Sequence, residues 1–294
     1  IFITRCHFQE VSPYRNSASF LDIPNLIDFW ENIVVGQNKS TWNADVVRIS
    51  KNEFVDCNVI SITGFVDLLV SQNRIDTDYG QIGVFALDNK KGTGLIVNNE
   101  FIGRKAENMV ILSEKKHISV INNSFFSDGR ETTCIQISTS DSVVLYNNVF
   151  YASGIDASAI QFLDSAYKSS DLFQSDHNSY YVPDGGVWSN PFIFAEISFS
   201  DVRSLGYDSN SVYTDPLFEN DSTLLPSSAN LVDAGKEIAG VTRDLVDNTR
   251  ENEPDIGAYE IQAIADFTAW RAITMRGILE GGKTVSLLHE VFNI

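Results

Sequence analysis

Between residues 45 and 165 the apolar residues fall in short alternating runs, VVRIS, DLLVS, GLIVN, ISVIN and SVVLY, and no stretch there has a helical period. Each run leads into an asparagine followed two positions later by an apolar residue, in the phrases KNEF, QNRI, NNEF, NNSF and NNVF. Roughly a dozen residues further on comes a second short run, VISI, IGVFAL, MVIL, CIQI or AIQF. These runs are rich in Val, Ile and Phe and are bounded by Asn, Asp, Gly and Ser, so they predict short strands and turns. A doubly wound fold or an α/β-barrel does not fit that alternation.

Followed outward, the marker sits at Asn32, Asn52, Asn73, Asn99, Asn123, Asn148 and Asn178, with Cys6 in the first place, at intervals of 26, 20, 21, 26, 24, 25 and 30. A period of this size, holding two or three strands, predicts an all-β fold: a single-stranded right-handed parallel β-helix of about eight coils of 20–26 residues with a C-terminal cap. Successive coils would then stack about 4.8 Å apart. The marker asparagine is expected to turn a corner in the left-handed backbone conformation and to bond its amide to the asparagines above and below. The phenylalanine after it is expected to fill the interior, so the phrase marks scaffold, not catalysis.

The repeat is expected to span residues 1–182, an irregular extension and cap 183–260, and a tail 261–294. In the tail Ile264, Phe267, Trp270, Ile273 and Ile278 recur near helical spacing before Gly281, which predicts an amphipathic helix or foreign sequence. At the other end IFITRCHF already reads as strand, with no evident cap, and makes that edge a candidate oligomer contact.

Composition narrows the setting. An apolar content of 43% supports a sizeable core, and a net charge of -18 disfavours nucleic acid and anionic membranes as partners. No apolar stretch is long enough to span a bilayer, so an exported soluble protein whose signal is not in this chain is the expectation. Cys6, Cys57 and Cys134 form no CxxC pair and are expected to be buried free thiols.

The closing phrases TDPLF, SANLVDAG, RDLVDNTR and PDIGAYE carry a resemblance. The chain resembles exported bacterial right-handed β-helix proteins that finish with Asp-Pro-x-Phe, Asp-Ala-Gly and Asp-Ile-Gly-Ala-Tyr-Glu phrases, over roughly residues 45–260. That resemblance implies an extracellular or cell-surface protein. Arg243, Asp244, Asp247, Arg250, Asp255 and Glu260 are expected to close the last coil's unpaired edge, with a metal role as the alternative.

Counting forward from each marker lines up candidate chemistry. Lys90 and Lys91 lie at the same offsets from Asn73 as Lys116 and His117 do from Asn99, with Lys115 adjoining. Arg104, Lys105 and Arg130 form a second basic group. Asp88 and Glu114 share one offset, with Ser138 at the same place in the next coil, and that carboxylate pair makes Ca2+ the candidate cofactor. Solvated turn charges are the plainer reading. The sharper one is that stacked lysines lower one another's pKa toward that of a general base.

The segment MVILSEKKHISVINNSF resembles the strand, lysine, strand and asparagine corner of chondroitinase-B-like and alginate lyases. The resemblance implies β-elimination on a uronic-acid glycan, with Lys115 or Lys116 as base and Lys91 beside it. Where those enzymes place an arginine acid, this chain reads IQISTSDS, and Arg130 is the nearest arginine. Arg104, Lys105, Lys90 and His117 would bind substrate, and Asp88 and Glu114 a cation. The alternative is a non-catalytic adhesin or carbohydrate-binding module, with Trp188, Tyr180 and Tyr181 stacking on sugar. On either reading the partner is a polysaccharide or cell-surface glycan. Polygalacturonase, pectin methylesterase, serine-hydrolase and phosphate-loop signatures are absent.

Overall fold

The computed structural model describes residues 2–261 apart from 6, 10–16, 21–25, 37–38, 58, 78–80, 86–91, 105–106, 114–116, 139–141, 164–171, 191–194 and 221–222. The chain divides into two compact units, Ile1–Glu260 and Ile261–Ile294. The helix expected at 264–280 lies outside the described residues.

The first unit is nearly all β and forms a solenoid of parallel stacked sheets. Every third strand in sequence falls in the same sheet, which gives one sheet of 8 strands and two of 9. Val46–Ser50, Asp67–Ser71, Thr93–Val97, His117–Ile121 and Ser142–Tyr146 are successive rungs of the first sheet. Glu53–Val55, Arg74–Thr77, Glu100–Gly103, Ser124–Ser127, Val149–Ala152 and Ser179–Tyr181 are rungs of the second. Val59–Thr63, Gln81–Phe85, Asn108–Ser113, Thr133–Ser138, Ser158–Phe162 and Gly186–Asn190 belong to the third.

Alternation within each rung decides which side chains enter the core. In the first sheet Leu68 and Val70, Ile118 and Val120, and Val143 and Leu145 are buried, while the residues between them face outward. The phenylalanines of the repeated phrase point inward as expected. Phe101 and Phe125 stack at 4.7 Å, Phe125 and Phe150 at 5.1 Å, and Phe150 and Tyr180 at 5.2 Å. Where the third sheet closes the core, Trp188 packs edge-on against Phe162 and Phe173.

The asparagines form one continuous ladder, each rung passing its hydrogen bonds to the next. The backbone N–H of Asn99 donates to Oδ1 of Asn123 at 2.9 Å, and the Asn99 amide donates to the same oxygen at 2.9 Å. The same pair of bonds runs from Asn32 to Asn52, Asn52 to Asn73, Asn73 to Asn99, Asn123 to Asn148 and Asn148 to Asn178. All seven residues are buried, so these bonds satisfy amides and carbonyls that water cannot reach.

One detail departs from expectation. The left-handed residue is the one before the marker: Glu31, Lys51, Gln72, Asn98, Asn122, Asn147 and His177 all have φ between 52° and 57°. The corner and the ladder are therefore separate duties given to adjacent residues. Only where both are Asn does the sequence read NN.

At the C-terminal end of the stack, Ala195–Ile197 pairs antiparallel with Gly186–Asn190. A short helix, Phe199–Ser204, is N-capped by Ser198 and buries Val202. The ladder finishes on Asp208 and Ser211. Asn178 donates its backbone N–H to Ser211 Oγ at 2.8 Å and its amide to Asp208 Oδ1 at 3.2 Å.

From Phe218 onward the chain runs back over the outside of the second sheet. Leu224 N–H and the Tyr259 hydroxyl both donate to Glu100 Oε1, at 2.6 and 2.7 Å. Arg250, buried, binds Asn98 Oδ1 at 2.8 Å and Glu260 at 3.0 Å. Asn122 donates to the carbonyls of Asp255 and Gly257, Asn147 exchanges bonds with Lys236, and Gln72 and Lys51 both donate to Asp247. This corrects the expectation for Arg243 to Glu260: the mixed-charge network does not close the last coil but straps the flank of the stack, because its partners are the outward-turned corner residues.

Candidate functional site

Of the expected site residues, Lys90, Lys91, Lys105, Lys115, Lys116, Asp88 and Glu114 lie outside the described residues. His117 opens its strand opposite Thr93 and Ser142, and shares a 2.6 Å hydrogen bond with Ser142. Ser138 pairs with Ser113. The forward count failed because coils differ in length between the marker and the third strand as well as after that strand: Ser113 lies 14 residues after Asn99 and Ser138 15 after Asn123. Thr93, His117 and Ser142 each precede the next marker by six residues, so the backward count holds register.

Arg104 and Arg130 are both turned toward carboxylates. Arg104 binds Asp76 at 2.8 Å, one coil toward the N-terminus, and Asp76 also holds Arg74 at 3.3 Å. Arg130 reaches Glu131 at 3.1 Å and Asp156 at 3.7 Å, one coil the other way. Their charge is thus met within the protein. Among the described residues no group of three or more His, Cys, Asp or Glu is placed to hold a metal ion. Cys57 and Cys134 are buried, the Cys57 thiol donating to the Val34 carbonyl at 3.4 Å, and burial pushes the Cys134 thiol pKa up, which makes it unreactive.

Trp188 and Tyr180, expected as sugar platforms, belong to the core instead. Inward alternation places them there, and Tyr180 spends its hydroxyl on buried Asp208 at 3.1 Å. Tyr181, one residue on, faces outward. It extends a column the sequence reading missed: Phe126 lies 4.9 Å from Tyr151, Tyr151 lies 5.3 Å from Tyr181, and Tyr181 lies 6.4 Å from Tyr213. The signal was present in SFFS, VFYA and SYY, where the residue after each interior aromatic is aromatic as well.

This column ends at a groove of about 360 Å³ whose lining includes Val182, Gly185, Val187, Phe199 and Tyr213. Phe199 and Tyr213 have ring centroids 5.8 Å apart, and Tyr213, 44% exposed, is fixed by donating its hydroxyl to the Val182 carbonyl at 2.9 Å. Asp215, and more weakly Asp184, raise the Tyr181 phenol pKa, so it stays neutral. The result is a rigid, uncharged aromatic surface beside small side chains.

A second groove, of about 490 Å³, lies nearer the N-terminal end between the second sheet and the strap. Its floor is the outward column Ile33, Glu53, Arg74 and Glu100, aligned rung upon rung. Leu245, Val246 and Tyr259 overhang it. Burial raises the Glu100 pKa despite the donors Tyr259 and Leu224, and burial and the neighbouring Glu100 raise that of Tyr259. Both groups fasten the strap.

No protein-family model matches the chain, and neither the curated proteins nor the solved structures compared with it give a match.

Proposed function

We propose that this is an extracellular or cell-surface β-helix protein that binds polysaccharide, with right-handed coils, about eight in number, presenting the glycan site on one flank and closed at the C-terminal end by residues 195–213. The observation that carries it is the aromatic pair Tyr181 and Tyr213 leading into the Phe199 groove, at the end of an outward column whose Phe126 and Tyr151 pack against Phe218 of the strap. Pyranose rings present C–H faces that pack on aromatic planes and remove apolar surface from water, at about 25 cal/mol per Å² buried. Repetition one coil apart suits a polymer. The closing Asp-Ile-Gly-Ala-Tyr-Glu phrase supports the same placement by its resemblance to exported bacterial β-helix proteins. No helix among the described residues is long and apolar enough to cross a membrane.

Titration against a panel of neutral and acidic glycans tests this reading. Tyr181→Ala with Tyr213→Ala should weaken binding at least about tenfold, the loss of two interface aromatics at about 1 kcal/mol or more each. Silence across the whole panel would retire the proposal.

The second reading is a lyase that cleaves uronic-acid glycans by β-elimination. It is supported by His117, which follows Lys115 and Lys116 in the sequence, is exposed and is held by Ser142. A lysine would take the C5 proton, and the C4–oxygen bond would break as the double bond forms and a donor protonates the leaving oxygen. Calcium between Asp88 and Glu114 would neutralise the uronate. Ultraviolet absorbance of unsaturated uronate ends, with calcium present, decides it: no signal on any uronate polymer eliminates the lyase.

A further inference from the structure

Resting on the glycan-binding reading above, we infer that the groove floored by Ile33, Glu53, Arg74 and Glu100 is a second saccharide subsite, taking a neutral sugar through two adjacent hydroxyls. Its volume of about 490 Å³ falls in the range of roughly 300–1,000 Å³ usual for small-molecule sites.

The charges around it are largely spent on each other. Lys51 binds Asp247 at 2.6 Å, Glu31 binds Arg5 at 2.8 Å, and Glu100 accepts from Tyr259 and Leu224. Two groups remain under-used. Glu53 has no side-chain partner among the described residues. Among the described residues Arg74, one rung away, has a single 3.3 Å bond to an Asp76 that Arg104 holds more closely, and its buried Nε has no acceptor.

An unpaired acceptor and an incompletely used donor therefore stand on adjacent rungs, whose strands run about 4.8 Å apart. A polyanion would meet Glu53 and Glu31, and an ammonium would meet Arg74. A neutral polyol suits both, since one hydroxyl donates to Glu53 and its neighbour accepts from the Arg74 guanidinium. Ile33 and Val246, 41% and 56% exposed, give apolar edges for the C–H face of the ring.

The test is calorimetric titration of the full chain with neutral xylo-, manno-, gluco- and N-acetylglucosamine hexamers, and with uronate hexamers for comparison. Two classes of site are expected for a neutral hexamer. Glu53→Ala should remove one of them or weaken it at least about tenfold. Glu53→Gln, which keeps an acceptor, should retain part of that affinity with an unchanged melting temperature. The tyrosine double substitution should spare this class and remove the other. A single class lost only with the tyrosines, or a groove that prefers uronate, overturns the second subsite and leaves the aromatic site standing. Absence of all saccharide binding removes both.

Discussion

Removing one rung of the asparagine ladder should cost more than any surface change of similar size, and Asn123→Ala is the sharpest case. Its amide nitrogen donates to the Ile96 carbonyl at 2.9 Å, the Ile121 carbonyl at 3.0 Å and Asn148 Oδ1 at 3.1 Å, while its oxygen accepts the Asn99 backbone and side-chain N–H groups. After truncation the Asn99 amide keeps the Val70 and Val97 carbonyls, and Asn148 Oδ1 keeps the Asn123 backbone N–H. The Asn99 backbone N–H keeps no partner among the described residues, while the Ile96 carbonyl, within the parallel ladder, loses only its side-chain donor. One buried N–H left unpaired predicts a loss of about 1–3 kcal/mol. That is a sizeable share of the roughly 5–15 kcal/mol of a folded domain. With a urea dependence of about 3 kcal/mol per molar, the circular-dichroism midpoint should fall by about 0.3–1 M. Ser119→Ala, outward-facing on the same coil, should stay within about 0.5 kcal/mol of wild type. Asn123→Asp restores an acceptor but buries a charge, so its deficit should be smaller in acid than at neutral pH. If Asn123→Ala moved the midpoint no further than Ser119→Ala, the ladder would be ornament and not support.

Three other outcomes follow from the packing and the strap. Phe125→Ala, at the centre of the interior ring stack, should cost about 3–5 kcal/mol in the same urea assay; a cost under about 1 kcal/mol would mean the stack collapses freely into the space. Gly154→Ala should destabilise by about 1–3 kcal/mol or more, since its new Cβ would lie 1.8 Å from the Gly129 carbonyl oxygen, and wild-type melting behaviour would contradict the coil spacing at that corner. Burial raises the Glu100 pKa above 4.5, so the folded chain holds a proton there more readily than the unfolded one. Stability from this group rises as pH falls through that raised pKa toward 4.5 and is lost as pH rises. The melting temperature of wild type minus that of Glu100→Gln should therefore shift in favour of wild type from pH 7 to 4.5, and a pH-independent difference would refute the assignment.

The sequence was readable wherever a physical requirement recurred at the same place in each coil. A ladder position must be buried and must both donate and accept, so it is asparagine from Asn32 to Asn178, and the interior position two residues on is Phe, Ile, Val or Tyr. The corner was misplaced by one residue because its requirement is only a positive φ with the side chain outside. Glu, Lys, Gln, Asn and His all meet it there, leaving no single letter to follow. Charge columns counted forward failed at His117 and Ser138, because insertions before and after the third strand change the count without changing the ladder. The strap was legible as polar and turn-rich, but not as a flank contact. Arg250 meets Asn98 across 152 residues, and nothing local announces such a partner. Of the outward aromatics only Tyr181 was named, and its column with Phe126, Tyr151 and Tyr213 was overlooked, because the alternating pattern was read for the core and not for the surface.

The strap is also the last part of the first unit to be synthesised. Lys236, Asp247, Arg250 and Tyr259 reach rungs made some 90 to 200 residues earlier, so they arrive after those rungs have already left the ribosome. Until then the growing stack holds together by neighbour-to-neighbour bonding alone. Once fastened, rungs that never touch one another share a common tether, and fraying that could otherwise spread from coil to coil must first release a clasp spanning many of them.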